Sequence, residues 1–144
     1  MEESEIHHAA QTGDLEAVKA LVQIGEDINS KSGFDLAPVH HAACKGHLDI
    51  VKFLVESGAD KEAKNWEDWT PLHYAVWNDH LEIVKFLVES GSNKDAKDDE
   101  DCTPLHLGTE RRHLDIVKFL IWNGADKEAK DKHDCTPLLS LIHI

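Results

Sequence analysis

Eleven histidines are the side chains of this chain best suited to chemistry, because imidazole is both a metal ligand and an acid–base group near neutral pH. Their spacing argues against one shared site. Seven of them form two series in which each histidine follows the previous one by 33 residues; these are His7, His40, His73 and His106, and His47, His80 and His113. Such spacing indicates a role repeated along the chain. We therefore predict no metal and no cofactor.

Three cysteines offer thiol chemistry, but their number is odd and no two form a C-x-x-C pair. Neither a disulfide framework nor a zinc ribbon is indicated. We expect three free thiols, at Cys44, Cys102 and Cys135. The chain also lacks a glycine-rich phosphate loop, a G-x-S-x-G turn and an H-E-x-x-H motif. The sequence predicts a protein that is not an enzyme.

Composition narrows the class of protein. The 144 residues suit one domain, and 41% apolar with 30% charged residues is an ordinary globular composition. A net charge of -13 would repel nucleic-acid phosphates, and the lysines recur at regular intervals among acids instead of forming a basic patch. The start, MEESEIHH, does not resemble a secretory signal, and no run of about 18 apolar residues occurs. We expect an intracellular monomer, cytoplasmic or nuclear, that binds neither nucleic acid nor membrane.

Internal repetition covers nearly the whole chain. Segments 37–60, 70–93 and 103–126 align at a spacing of 33 residues, the first copy is looser, and the last stops partway. We place the copies at 4–36, 37–69, 70–102 and 103–135, with a partial copy at 136–144, all within one domain over residues 1–144. Positions that are 33 residues apart are called a column below.

Each copy is predicted to form two short helices. Thr70 can cap a helix that begins at Pro71, since the threonine oxygen accepts a bond from a free amide and proline has no amide to leave unpaired. The second helix carries a broad apolar arc, and Gly91 is placed to end it. This arc needs neighbours on both sides. The copies must therefore stack into an all-α repeat solenoid.

The strings T-P-L-H, H-L-[DE]-I-V-K-F-L and G-A-D recur along the chain and make its copies similar to the ankyrin repeat. The resemblance spans about four and a half repeats. It implies an L-shaped stack of helix-turn-helix units with β-hairpin fingers projecting at a right angle, and it implies that the two histidine columns serve turns and bonds between repeats. At the finger tips, where the family usually has glycine, this chain has Asp35, Asp68, Asp101 and Asp134, and aspartate tolerates the left-handed backbone that such a turn needs.

Residues that differ between copies are the candidates for function, because the shared scaffold does not dictate them. In ankyrin repeats the freest positions lie near the finger tip and at the end of the first helix. At those positions the predicted protein-binding residues are Phe34, Leu36, Cys44, Lys45, Trp66, Glu67, Trp69, Trp77, Asn78, Asp99, Glu100, Glu110 and Arg111.

Three tryptophans in this set lie within twelve residues of one another. Trp69 shares its column with Leu36 and two cysteines, so packing of finger against finger and contact with a partner are equal alternatives. The columns of Trp66 and Trp77 do not demand an aromatic residue. We expect both of these indoles to be solvent-exposed and to contact a partner.

The sequence thus predicts a protein-binding module whose partner combines an apolar anchor with basic residues. Two alternatives stay open. The chain could be the targeting or substrate-recruiting segment of a longer enzyme or ligase subunit, which the apolar ending LLSLIHI favours, or it could be an artificial or structural scaffold.

Overall fold

The computed structural model describes residues 3–142, with side chains through residue 139. Positions 143–144 of the partial copy lie outside the described residues. The helices are α1 Glu5–Thr12, α2 Leu15–Gln23, α3 Pro38–Lys45, α4 Leu48–Glu56, α5 Pro71–Trp77, α6 Leu81–Glu89, α7 Pro104–Arg111, α8 Leu114–Trp122 and α9 Pro137–Ile142. A single 3-10 turn covers Gly33–Asp35.

The helix ends follow from local sequence. Thr70 begins α5 by accepting a bond from the backbone N–H of His73 at 3.3 Å, and Thr103 does the same for His106 at 3.4 Å. The first helix of a copy ends at a left-handed residue, glycine at Gly13 and Gly46. In the fourth copy Arg112 takes this conformation instead, with φ 62°. The Thr-Pro starts predicted at residues 70 and 103 are therefore confirmed.

The helices form two layers. The first helices stack in the order α1, α3, α5, α7 and α9, and the second helices stack in the order α2, α4, α6 and α8, with each pair packed together. One continuous apolar core runs between the layers. Its fully buried side chains include Ile50, Leu54, Leu72, Leu87 and Leu105. This arrangement is the helical solenoid that the sequence predicts.

The fingers are tight turns, and no strand is assigned within residues 3–142. The second finger closes with a bond from the N–H of Asn65 to the carbonyl of Trp69 at 3.0 Å, and the first, third and fourth close in the same way. The tips adopt positive φ at Asp35, Asp68, Asp101 and Asp134, as expected. Each finger joins the next through one backbone bond, such as Trp66 N–H to the Phe34 carbonyl at 3.1 Å. The expected β-hairpins are thus present only as turns, because one bond between neighbours does not make a ladder.

Lysines account for part of the stacking. Lys61 donates to the carbonyl of Ser90, at the end of the next copy's second helix, over 2.6 Å, and Lys31 donates to the carbonyl of Lys64 over 2.8 Å. Ion pairs between residues three positions apart join Glu16 to Lys19 and Glu82 to Lys85, at 3.9 and 3.7 Å. Both are exposed, so each contributes little to stability. Within residues 3–142, no helix is long and apolar enough to cross a membrane.

Candidate functional site

Histidines of the first series tie the first helix of a copy to the finger at the end of the same copy. His73 accepts a bond at Nδ1 from the backbone N–H of Thr70 at 3.0 Å, and its Nε2 donates to the carbonyl of Cys102, the last residue of its own copy, at 3.1 Å. His106 repeats both bonds with Thr103 and Cys135, at 3.1 and 2.9 Å. Burial lowers the pKa of His73. The neutral ring is therefore a structural bridge and is not available as a ligand.

The second histidine series acts between neighbouring copies. His47, His80 and His113 each donate from Nε2 to a carbonyl at the end of the preceding copy's first helix, at 3.0 to 3.1 Å. Both series thus have the structural role that the resemblance implied. In the part of the chain that the structure describes, no group of three or more His, Cys, Asp or Glu side chains is arranged to hold a metal ion.

Two aromatic side chains lie exposed on adjacent finger tips. Phe34 is 66% exposed and Trp66 is 61% exposed, and their ring centroids are 5.1 Å apart. Phe34 has φ 61°, a left-handed conformation that is a genuine outlier for a bulky residue. Such strain persists only when the surroundings impose it, and it concentrates at binding sites. This pair is the most exposed aromatic feature of the fingers.

A second aromatic group lies beneath the fingers. Trp69 is half-buried, with its ring centroid 5.0 Å from Tyr74 and 5.7 Å from Trp77, and its Nε1 donates to Asp98 at 3.0 Å. Tyr74 accepts a bond at its hydroxyl from Asn65 at 2.8 Å. Both edge-to-face pairs have the geometry that stabilises packed aromatic rings. Trp69 therefore packs as part of the scaffold.

Trp77 is already covered within the chain. It is half-buried, and the guanidinium of Arg111 lies 4.6 Å from its ring centroid. A cation at this distance from an indole face forms a cation–π contact. The prediction that Trp77 would be solvent-exposed is wrong, because the next copy supplies a side chain that lies over it. The exposure predicted for Trp66 is confirmed, and its contact with a partner stays a prediction.

Two matches with protein families decide what these copies are. A family model for three copies of the ankyrin repeat matches residues 6–98, and a model for many copies of it matches residues 79–121. The chain belongs to the ankyrin-repeat family. A search of curated proteins finds no significant match. Ankyrin repeats are generally protein–protein interaction modules, and ankyrin-repeat domains are typically non-catalytic.

Acidic side chains surround the ankyrin fingers. Glu67, Asp99, Glu100 and Glu110 are all exposed. Burial, together with the negative charges of Asp98, Asp131, Glu110 and Glu100, raises the pKa of the Cys102 thiol to about 12. This thiol stays protonated at neutral pH and is a poor nucleophile. The carboxylates that act on this thiol belong to the third and fourth ankyrin repeats, so the electrostatic potential between these repeats is negative.

The remaining predicted residues are divided among smaller contacts. Asn78 donates to the Cys44 sulfur at 3.5 Å and to the Tyr74 carbonyl at 3.1 Å, so these side chains join the second and third ankyrin repeats. Leu36 is half-buried, and Lys45 is exposed.

Sequence reasoning missed the polar residues that hold the fingers in shape. The Oδ1 atom of Asn65 accepts bonds from the N–H groups of Glu67 and Trp69, at 2.9 and 2.8 Å, and Asp98 and Asp131 do the same in their own fingers. The sequence does carry a signal for them: a column with Ser, Asn, Asp and Asp lies five residues before the start of the next copy, and such side chains close turns.

Proposed function

We propose that this chain binds a protein partner through its fingers and the ends of α3, α5 and α7, which we call the finger surface. The observation that carries the proposal is the contacting pair of Phe34 and Trp66 rings, exposed on adjacent tips. Large aromatic side chains bury about 150 to 250 Å² each on association and are enriched among binding hot spots. The finger surface corresponds to the inner, concave face of an ankyrin stack.

The charge of the same surface describes the partner. Glu67, Asp99 and Glu100 extend from the tips beside the aromatic pair, and Glu110 lies at the end of α7. A partner with an apolar anchor for Phe34 and Trp66, flanked by lysine or arginine, complements this arrangement. Arg111, which lies over Trp77, is an example within the chain of a guanidinium in contact with an aromatic ring of this surface. Electrostatic steering should make association faster at low salt.

The test compares two exposed tryptophans on different surfaces. Trp66→Ala removes the anchor on the finger surface, whereas Trp122→Ala removes an indole that is 89% exposed at the end of α8. Proteins captured by the wild-type chain and by Trp122→Ala, but lost with Trp66→Ala, are partners of the finger surface. For an isolated partner we expect Trp66→Ala to weaken binding at least about tenfold, since about 1.4 kcal/mol suffices.

A second variant tests the ring of Phe34 without disturbing its backbone. Asparagine tolerates left-handed φ, so Phe34→Asn should fold normally while weakening the same complex. Equal binding by wild type, Trp66→Ala and Phe34→Asn would refute the finger surface as the binding site.

A further inference from the structure

A groove lies away from the fingers, between α1 and α2. Its volume is about 770 Å³. Its apolar lining includes Ala9, Ala17, Ala20 and Leu21, and its charged lining includes Glu5 and Asp14. None of the lining residues that the structure describes is lysine or arginine. We call this the α1–α2 groove.

The groove exists because the first copy has alanine where the others have large side chains. Ala17 occupies the column of Ile50, Ile83 and Ile116, all buried, and Ala20 occupies the column of Phe53, Phe86 and Phe119. Restoring isoleucine and phenylalanine would add apolar bulk at two points of the lining. Ile24, which ends α2 in a column of serine and asparagine, is 77% exposed. The first copy thus has both the α1–α2 groove and an exposed apolar side chain, Ile24, close in sequence to the residues that line it.

Stacking in the other copies indicates the shape of an occupant. On the second copy, the corresponding face is covered by helices, because α1 packs on α3 and α2 packs on α4. Lys19 on α2 lies 6.0 Å from the Phe53 ring, so the phenylalanine column faces the preceding helix. A helix is therefore the element that this face accepts elsewhere in the molecule.

Charge indicates which kind of helix fits. Glu5 replaces the proline of the other first helices, and Asp14 replaces the histidine of the second series. Glu3 adds a third carboxylate to the lining. We propose that the α1–α2 groove is a second binding site, which takes an amphipathic helix of a partner protein. The helix inserts apolar side chains over Ala17 and Ala20 and directs lysine or arginine towards Glu5 and Asp14.

The experiment measures binding of designed peptides to the full chain. A labelled amphipathic peptide of about 18 residues, with leucine at i, i+3, i+4 and i+7 and lysine beside this stripe, is titrated and followed by fluorescence anisotropy. We expect saturable binding. Ala17→Ile with Ala20→Phe, which restores the side chains of the other copies, should fold normally by circular dichroism and weaken binding at least tenfold. Glu5→Lys should weaken it as well, whereas Trp66→Ala should not.

Four results would overturn the proposal. The first is no saturable binding of the lysine-flanked peptide. The second is equal binding by the filled variant, and the third is equal binding of a peptide with glutamate in place of lysine. The fourth is concentration-dependent self-association in sedimentation that the filled variant abolishes, since the occupant would then be a second copy of this chain. The Trp66→Ala control separates failure here from failure of the finger surface.

Discussion

Between the stacked helices, each copy uses the same side chains for the same bonds, whereas along the fingers each copy uses different ones. His73 and His106 make equivalent bonds to their own helix caps and to the ends of the fingers in their own copies. Phe34 and Trp66, by contrast, have no aromatic counterpart at Glu100 or Asp99. A column that keeps its residue is under structural demand, and a column that changes is free for recognition. The predictions below test this division.

Removing a histidine of the first series should have the largest effect. His73→Ala leaves the buried N–H of Thr70 without its ring acceptor, removes one of the two bonds to the carbonyl of Cys102, and opens a cavity. We expect a loss of about 3 kcal/mol in the free energy of unfolding. Thermal unfolding followed by circular dichroism measures it. His133→Ala, at an exposed finger position, is the control and should change stability by less than about 0.5 kcal/mol. Equal melting temperatures for His73→Ala and His133→Ala would contradict the structural role assigned to His73.

Lowering the pH should also destabilise the fold, through two neighbouring histidines of α3. Burial lowers the pKa of His40 and of His41 from the ordinary value of 6.5 to about 4. Between these pH values the unfolded chain binds more protons than the folded chain, so stability present above pH 6.5 is lost as pH falls towards 4. We expect a loss on the order of 2 kcal/mol from the pair, which lowers the melting temperature by roughly 5 °C.

A substitution by the residue that another copy has at the same position tests His41 separately from His40. Tyr74 occupies the column of His41, so His41→Tyr replaces the titrating ring by one that this scaffold accepts. The slope of melting temperature against pH between 6.5 and 4 should become smaller than in wild type. An unchanged slope would show that His41 does not contribute.

Two tryptophans three residues apart should behave oppositely. Trp69→Ala removes the contacts with Tyr74 and Trp77 and the bond to Asp98, and we expect a cost of about 2 kcal/mol. Trp66→Ala should cost less than about 0.5 kcal/mol, because its indole is mostly in water. Chemical denaturation measures both. A larger loss from Trp66→Ala than from Trp69→Ala would reverse the assignment of these residues.

The smallest effect concerns a pair of unusual core residues. Gly108 replaces the alanine of its column, and an added Cβ would lie 3.2 Å from Val76 Cγ1 and from Val117 Cγ2. Val76 is larger than the alanines of the first two copies, so the two changes are complementary. Gly108→Ala should cost about 1 kcal/mol. Gly108→Ala combined with Val76→Ala should show favourable coupling in a double-mutant cycle, and strict additivity would contradict it.

Local and periodic features could be predicted from the sequence. The cap at Thr70 depends on neighbours in the chain, and the turn at Asp68 depends on aspartate tolerating positive φ. The bridging role of His73 follows from the resemblance, because its column is constant. These features need no knowledge of which variable side chains meet.

Pairs between variable columns could not be predicted in this way. Arg111 lies over Trp77, and Trp69 bonds to Asp98, although neither pair recurs in another copy. Periodicity shows that two columns are close, but it does not show which of their long side chains will make contact. The exposure predicted for Trp77 was wrong for this reason. The left-handed backbone at Phe34 is also specific to one finger.

The reach of the histidine bonds bears on how the chain folds during synthesis. In the described part of the molecule, the side-chain bonds that join copies connect residues no more than 36 positions apart. These side-chain bonds therefore form between residues that are close in the sequence. Topologies dominated by local contacts fold fast. A copy leaving the ribosome needs only the copy made just before it. Synthesis and folding can therefore advance together, and the addition or loss of a whole copy would leave the order of assembly unchanged.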